Sequence, residues 1–82
     1  MGCFYYKTVE DHLNHQDIGK YVSYGIIAVD DNNIILAKVS DINTKKDVVE
    51  NLTDAINNLV LPPQYLKSLT QIFCDNDYKL VL

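Results

Sequence analysis

The sequence predicts an α+β fold, in which a small antiparallel sheet of about three strands is followed by an antiparallel helix pair packed on one face of the sheet. Three observations predict it. Apolar residues alternate or cluster as in strands over residues 20–40, and they recur at helical spacing over residues 45–59. The change of period falls at residues 41–44. The expected order is therefore βββαα, with room for a short C-terminal strand in residues 78–82.

The length of 82 residues predicts a single domain, residues 1–82, with one small core. A composition of 48% hydrophobic and 22% charged residues is that of an ordinary globular protein. Cys3 and Cys74 are too few for a disulfide scaffold. The sequence shows neither a signal peptide nor an apolar run of membrane-spanning length. We therefore expect a cytoplasmic protein with reduced thiols and no membrane partner.

The charge balance argues against direct nucleic-acid binding. Eleven acidic residues and seven lysines give a net charge of −4, and the sequence has no arginine. Arginine is the preferred bidentate ligand of phosphate groups and guanine edges. The lysines are scattered apart from Lys45 and Lys46. A protein partner or self-association is the expected mode of interaction.

The first strand is predicted at Phe4–Glu10, which is rich in aromatic and β-branched residues. Residues 11–19 are expected to form a polar connection that ends at a turn glycine. This segment carries His12 and His15 beside two aspartates. A metal site needs a defined geometry and a third ligand, and two histidines in a loop supply neither. We expect solvated histidines, and no catalytic residue, metal or cofactor.

A β-hairpin is predicted from Tyr21–Val29 and Ile34–Ser40, which flank residues 30–33. The Asp and Asn residues of this link tolerate the left-handed conformations of tight turns. A two-residue turn in its middle and a four-residue loop give the same register. In both cases Val29 is expected opposite Ile34.

Alternation assigns each hairpin residue to a face. The inner face, expected to carry the helices, holds Val22, Tyr24, Ile26, Ala28, Ile35, Ala37 and Val39. Its expected pairs Ile26–Ala37 and Ala28–Ile35 place a large side chain opposite a small one, as a packed face requires. Lys38 marks the opposite face as the outer one.

The outer face carries more apolar residues than a solvated sheet face needs. They are Tyr21, Ile27, Val29, Ile34 and Leu36. If exposed, five such side chains would form a patch of roughly a few hundred Å², a size typical of partner sites. Four occupants could cover it: the aromatic residues of the first strand, the C-terminal tail, a second copy of the chain, or a partner protein.

The first helix is expected to begin near Thr44, which forms a capping-box-like pair with Asp47, and Asn43 is an alternative cap. Its apolar stripe consists of Val48, Val49, Leu52, Ala55, Ile56 and Leu59. Pro62 and Pro63 end this helix and start the next. The second stripe consists of Tyr65, Leu66, Leu69, Ile72 and Phe73. Both stripes are expected to be core.

Three segments carry a family resemblance: residues 24–26 (Tyr-Gly-Ile), residues 41–43 (Asp-Ile-Asn), and the helical residues leading to Leu61-Pro62 and Tyr65-Leu66. On them the chain resembles a small domain family of unknown function from clostridial-type bacteria (Firmicutes). That family usually has Ser at the position of Asn43, a change that keeps a cap residue. The resemblance covers roughly residues 21–73. It implies a small cytoplasmic α+β fold and supplies no activity.

The sequence favours a non-catalytic protein-binding or regulatory module, with a homodimer among the options. Its contacts would be Tyr21, Ile27, Val29, Ile34 and Leu36 on the outer face. One alternative is a phage- or mobile-element-encoded inhibitor of a host nucleic-acid enzyme, which would suit a small acidic chain. Another is a metal-dependent enzyme centred on His12 and His15.

Overall fold

A computed structural model describes residues 3–78. Its elements are β1 (Phe4–His15), β2 (Gly19–Asp30), β3 (Ile35–Asn43), α1 (Lys46–Leu59), a 3₁₀ turn (Pro63–Tyr65) and α2 (Leu66–Asp75). The strands form one antiparallel sheet in the order β1-β2-β3, so β2 is central. This confirms the predicted α+β fold and the order βββαα. Of the C-terminal strand considered for residues 78–82, residues 79–82 lie outside the described residues, and Tyr78 lies in a turn.

The core lies between the sheet and the two helices. It is built from the buried residues Tyr6, Ile26, Ala28, Ile42, Val49, Leu52, Ile56, Leu66 and Phe73. Because Ile26 and Ala28 pack with helical residues in this cluster, the inner face is the one that the alternation predicted. The opposite side of the sheet is the outer face.

The β1–β2 hairpin is longer than predicted. The strands pair without interruption from Phe4↔Asp30 to His15↔Gly19, and Gly19 takes the positive φ of 76° after the turn. The expected polar connection over residues 11–19 is therefore wrong, because most of it continues the two strands. Polar side chains are compatible with a strand here, because most of those in residues 12–18 are exposed to solvent and the backbone hydrogen bonds of the strand are still made.

The predicted register between β2 and β3 is also wrong. The loop has three residues, because the Asp30 N–H donates to the Ile34 carbonyl (3.1 Å) and Asn33 adopts φ 62°. A further register shift follows between Ala28↔Ala37 and Val29↔Ile35. Together the two irregularities displace the pairing by two residues, and Ile26 faces Val39 instead of Ala37.

A second irregularity bends β3 at its far end. Between Ile26↔Val39 and Tyr24↔Asn43, β3 uses two residues more than β2, and Asp41 has a positive φ of 56°. The bend brings Ile42 into the core at 5% exposure. Residues 41–43 of the predicted helix junction are thus the end of a strand.

Two residues, Gly25 and Asp11, make this bend possible. A Cβ on Gly25 would overlap the Val39 carbonyl oxygen and lie 2.9 Å from Asp11 Oδ2. Asp11, which is nearly buried, accepts a hydrogen bond from the Asp41 backbone N–H (3.2 Å). A side chain at Gly25 would therefore push β3 away, and Asp11 supplies the acceptor that the bent backbone lacks within the sheet.

Helix α1 begins without the expected side-chain cap. Its N-cap residue is Lys45, and no side chain caps its free N–H groups. The Asn43 side chain instead accepts from the Lys45 N–H (2.8 Å), which fixes the turn before the helix. The expected cap roles of Asn43 and Thr44 are wrong, because the strand extends further than predicted and moves the helix start beyond both residues.

The helix stripes were predicted in part. Val49, Leu52, Ile56, Leu66 and Phe73 are buried as expected, whereas Leu59, Tyr65 and Ile72 are exposed. Thr53 and Thr70 are buried instead. Each donates its hydroxyl to the carbonyl four residues earlier, so neither leaves an unpaired polar group in the core.

The free edge of β1 is held by α1. The Asn57 side chain accepts from the Tyr6 N–H (2.8 Å) and donates to the Tyr6 carbonyl (3.0 Å), as a neighbouring strand would. The Thr8 and Thr53 hydroxyl oxygens lie 2.7 Å apart. Helix α1 thus occupies part of an edge that would otherwise be open to another chain.

Candidate interaction surface

The outer face is described most simply as successive rows across the three strands. Near the β2–β3 loop, one row holds Tyr5, Val29 and Ile35. The next row holds Lys7, Ile27 and Lys38. The rows beyond it on β1 and β2 are Val9 with Gly25, Asp11 with Ser23, and Leu13 with Tyr21.

An apolar cluster, the outer patch, occupies the end of this face beside the β2–β3 loop. Its members are Tyr5, Ile27 and Ile35, with Leu36 in the bulge that follows Ile35; all but the half-buried Ile27 are exposed. Both described helices pack on the opposite face, through the core that includes Ile26 and Ala28. Among residues 3–78, therefore, no helix covers the outer patch.

The five residues predicted as contacts have different environments. Leu36 is exposed and Ile27 is half-buried, both near the β2–β3 loop. Ile34 is also exposed, but it lies opposite Asp30 in the row of Phe4, so the register places it on the inner face and apart from the other predicted contacts. Val29 is only 2% exposed, because the register places it between Tyr5 and Ile35. Val29 therefore lies within the outer patch and adds almost no exposed area to it.

Tyr21 lies apart from the other four predicted contacts. It pairs with Leu13 at the opposite end of the β1–β2 hairpin, eight residues from Val29 along β2. Its hydroxyl donates to Asp41 Oδ2 (3.0 Å), and this hydrogen bond is the main cause that raises the Tyr21 pKa above its ordinary value. The structure therefore divides the outer-face members of the predicted site between two ends of that face.

Sequence reasoning missed Tyr5 and Ile35 as members of this surface. Tyr5 could have been found from the alternation of β1, once that strand was paired with β2. Ile35 was placed on the inner face, and the loop and bulge move it to the row of Val29, where it is 56% exposed. Alternation could not predict the position of Ile35, because it does not determine how β3 is paired with β2.

Charged residues divide the two apolar ends of the outer face. Lys7 and Lys38 flank Ile27 on either side. Toward the other end lie Asp11 and Asp41, whose backbone N–H is bound by the Asp11 carboxylate. Lys38 Nζ lies 3.8 Å from Asp11 Oδ1 and remains half exposed. The order along the strands is apolar, basic, acidic and apolar.

The far end of the β1–β2 hairpin, which we call the hairpin end, contains a cavity that is lined from both faces of the sheet. Its volume is about 420 Å³, and its lining is His12, Leu13, Asn14, Lys20, Tyr21 and Val22. These residues belong to β1 and β2 beyond the last pair that β2 makes with β3, Tyr24↔Asn43. The hairpin end therefore offers a concave, partly apolar surface that the helices do not occupy.

The histidines do not form a metal centre. His12 Nε2 lies 2.8 Å from Glu10 Oε2, and His15 Nδ1 accepts from the Asp17 N–H (3.1 Å). Both belong to β1, where residues three apart point to opposite faces. Within residues 3–78, no group of three or more His, Cys, Asp or Glu side chains is placed to hold a metal ion.

No family model, no curated protein and no solved structure matches the chain. The resemblance to a clostridial family therefore stays a prediction. None of the helices among residues 3–78 is both long and apolar enough to cross a bilayer. What the surface can bind has to be argued from its own geometry and charge.

Proposed function

We propose that this protein is a non-catalytic protein-binding module that uses the outer face of its sheet. The observation that supports this is the outer patch, where the exposed Tyr5 and Ile35 lie in one row on either side of Val29 and the exposed Leu36 follows in the bulge. A monomeric protein rarely leaves such a contiguous apolar cluster in water, and partner binding is its usual purpose.

The energetic basis would be burial of apolar area. At about 25 cal/mol per Å², covering roughly 400 Å² of apolar surface contributes on the order of 10 kcal/mol before the costs of association. Val29 is already packed between Tyr5 and Ile35, so the area gained on binding would come from its exposed neighbours. A patch on a sheet is also less mobile than a loop, so binding would order few additional side chains.

A matched pair of isoleucines tests the proposal. Ile35 in the outer patch is 56% exposed, and Ile72 on the outside of α2 is 51% exposed. Ile35→Asp and Ile72→Asp therefore introduce the same charge at equally accessible positions on two different surfaces. Each variant and the parent chain would be used to capture partners from an extract of the native host. The molar mass of each purified protein would be measured by light scattering.

The expected result is that an assembly formed by the parent chain, with itself or with a host protein, is lost in Ile35→Asp and kept in Ile72→Asp. Unfolding curves of the two variants confirm that both are folded. If Ile35→Asp assembles as well as the parent does, or if the parent forms no assembly in either setting, the outer face is not a binding surface.

A further inference from the structure

We infer that a second copy of this chain adds its β1 to the free edge of β1, so that the two three-stranded sheets join into one antiparallel sheet. β1 is an edge strand, because the strand order is β1-β2-β3. The inference goes beyond the proposed function, since it uses the edge of the sheet and leaves the outer face free. It is carried by the direction of the backbone groups of β1 and by the length of edge over which they are unpaired.

The Asn57 side chain shows which residues of β1 direct their backbone groups away from β2. It binds both the N–H and the carbonyl of Tyr6, so both groups of Tyr6 point to the free edge. In an antiparallel pair this direction alternates from residue to residue, and β1 pairs with β2 without interruption. Four further residues therefore point their backbone groups to the free edge: Thr8, Glu10, His12 and Asn14.

This open stretch, residues 8–14, has two definite ends. Among residues 3–78 its outward backbone groups have no hydrogen-bond partner. At one end Asn57 occupies the edge beside Tyr6, and at the other end β1 stops at His15 and the chain turns. The stretch is about 20 Å long. An unpaired strand edge of this kind is a template for another strand.

A two-fold axis perpendicular to the sheet pairs two copies of the open stretch in only one complete register. The stretch is centred on Asp11. An axis there pairs Glu10 of each copy with His12 of the other, and it pairs Thr8 with Asn14. All outward groups are then used, in about eight hydrogen bonds, two for each pair. A shift by two residues leaves one outward residue opposite α1 or the turn, and a shift by one places outward groups opposite groups already bonded to β2.

Asp11 lies on the axis, and its carboxylate is directed away from the second copy. One of its oxygens accepts from the Asp41 N–H (3.2 Å), and the other lies 3.8 Å from Lys38 Nζ. Both partners belong to β3, on the far side of β2 from the free edge. The two Asp11 carboxylates therefore turn away from each other, which avoids the repulsion of like charges on directly opposite residues.

The side chains beside the axis are compatible on both faces. On the outer face, Val9 lies opposite Leu13 of the second copy. Both residues are half-buried, and the symmetry forms this apolar pair twice. On the inner face, Glu10 lies opposite His12 of the second copy. Within one chain these two side chains already associate, with His12 Nε2 2.8 Å from Glu10 Oε2, so the pairing places each carboxylate between two imidazoles.

The flank of α1 leaves room for the added strand. A cavity of about 290 Å³ lies between β1 at Thr8 and the helix, and its helical lining includes Glu50 and Asp54. In the pairing, Asn14 of the second copy lies beside Thr8 and enters this cavity. The exposed Lys20, which pairs with Asn14 across the hairpin, enters on the same face of the sheet. A lysine thus approaches two carboxylates of the helix, which favours this partner.

A matched pair of prolines tests the edge. His12 and Val22 lie opposite each other in the hairpin, so their N–H groups point to its two opposite edges, and Val22 lies beyond the last pair with β3. Proline is accepted at such edge positions, and neither substitution removes a hydrogen bond found within residues 3–78. We expect the parent and Val22→Pro to sediment as dimers, and His12→Pro to raise the dissociation constant at least about tenfold. Circular dichroism confirms that both variants are folded.

A cross-link tests the register. Val9→Cys and Leu13→Cys are made as separate chains, each also carrying Cys3→Ser and Cys74→Ser. In the inferred register the two new thiols lie on opposite residues with a Cα separation of about 4.5 Å, which a disulfide can span. On mild oxidation an equimolar mixture is expected to form a disulfide-linked dimer. Each chain alone is expected to form none, because its two thiols are four residues apart along the paired strands.

Several outcomes overturn the inference. One is a parent chain that stays monomeric up to about millimolar concentration, the range of the weakest specific interfaces. Others are a mixture that forms no cross-link, single chains that cross-link as readily as the mixture, or a His12→Pro variant that dimerises as well as the parent. If the parent is monomeric and His12→Pro loses a host protein that the parent captures, the edge binds a foreign strand and the second-copy inference fails.

The outer patch is tested separately. Ile35 lies on β3, and the open stretch lies on β1 at the other side of the sheet. A dimer that persists in Ile35→Asp is therefore the edge dimer and supports this inference. Loss of a captured host protein in the same variant reports on the outer patch alone.

Discussion

The two hairpins of this sheet share the central strand β2 and are built in different ways. β1 and β2 pair over twelve consecutive residues without a break in register. β2 and β3 pair with two register shifts, and two residues of this hairpin, Asn33 and Asp41, have positive φ. The regular hairpin is held from outside, by α1 along the edge of β1, whereas the irregular one depends on particular residues at its bends.

This difference between the two hairpins also determines which side chains reach the outer face. Where the register is unbroken, alternation places side chains correctly, and Tyr6 and Tyr5 fall on opposite faces as their pairing requires. At the β2–β3 loop and bulge, one-residue shifts move Ile35 to the outer face and then return Ala37 and Val39 to the inner one. The outer patch therefore owes one of its most exposed members to irregular structure.

The largest loss of stability is expected at Gly25, where the β2 and β3 backbones of the irregular hairpin approach each other most closely. Gly25→Ala would place its methyl group against the Val39 carbonyl oxygen and 3.0 Å from Ser40 Cα, both of them backbone atoms that cannot turn aside. We expect the free energy of unfolding to fall by at least about 3 kcal/mol, as for severe overpacking. The measurement is urea unfolding followed by circular dichroism.

Gly19→Ala in the regular hairpin is the control. Nothing lies within 4 Å of a Cβ at Gly19, so its cost comes only from the positive φ of 76°. That cost is about 1 kcal/mol. Equal losses in the two variants would show that β3 does not press on Gly25 as the structure indicates.

The next largest loss of stability is expected at Asp11, which accepts a hydrogen bond from the backbone at the bend of β3. Asp11→Ala would leave the Asp41 N–H, now bonded at 3.2 Å, without its partner in a nearly buried site. An unsatisfied buried donor costs about 1–3 kcal/mol, so we expect a loss of about 2 kcal/mol in unfolding free energy. Loss of the Lys38 contact adds little, since that lysine is half exposed.

Glu10→Ala provides the comparison for Asp11→Ala, because Glu10 is the adjacent acid on β1 and its contacts to His12 and Tyr24 are at the surface. We expect a change of at most about 0.5 kcal/mol there. Hydrogen exchange locates the effect: Asp11→Ala should speed exchange of the Asp41 amide. Protection at Asp41 that is unchanged would contradict the assigned role of Asp11.

A smaller effect is expected at the edge of the regular hairpin, where Tyr6 is buried against the helical side. The Tyr6 hydroxyl donates to the Leu61 carbonyl, and burial raises the pKa of this phenol above its ordinary value near 10. Tyr6→Phe removes one hydrogen bond and leaves the Leu61 carbonyl unpaired, which should cost about 1 kcal/mol at neutral pH. Tyr5→Phe, on the exposed face of the same strand, should cost little.

The pH dependence gives Tyr6 a second readout. Because the folded pKa is raised, the protonated phenol stabilises the folded state fully below about pH 10, and this stability is lost as pH rises toward the folded value. Tyr6→Phe should therefore lose less stability between pH 9 and 11, roughly the range that spans the unfolded pKa. Tyr21 also has a raised pKa, so the slope should decrease without vanishing. A slope equal to that of Tyr5→Phe would refute the burial of this hydroxyl.

The sequence contained the fold class because period and alternation depend on neighbours a few residues apart. It placed Ile26 and Ala28 toward the helices, which the core confirms. It did not contain the register of β3, because that register depends on a three-residue loop fixed by Asp30 and on a bend that needs Gly25 and Asp11 together. The contacts of the bend join distant positions, and neither they nor the turn type of the loop leave a periodic signal in a single sequence.

The candidate surface was predictable to the same extent. Ile27 and Leu36 could be found from the surplus of apolar residues on one face, and the structure places them near one end of the sheet. Ile34 could not, because the three-residue loop moves it opposite Asp30 and to the inner face. Tyr21 could not be separated from Ile27 and Leu36 by alternation, which assigns a face and not a position along it. The charged rows between the two ends became visible only when β1 was paired with β2.

The smallest loss of stability is expected in the β2–β3 loop, which causes the first shift of the register between these strands. Asn33 has φ 62°, and its N–H donates to the Asp30 carbonyl (3.0 Å). Asn33→Ala forces a Cβ into a left-handed conformation without the tolerance of Asn, which should cost about 0.5–1 kcal/mol, whereas Asn33→Gly should be neutral or slightly stabilising. Ile34 and Ile35 should keep their amide shifts in the Gly variant. If instead Asn33→Ala is the more stable variant, the loop has only two central residues and Val29 faces Ile34, so the outer patch would lose the position assigned to Ile35.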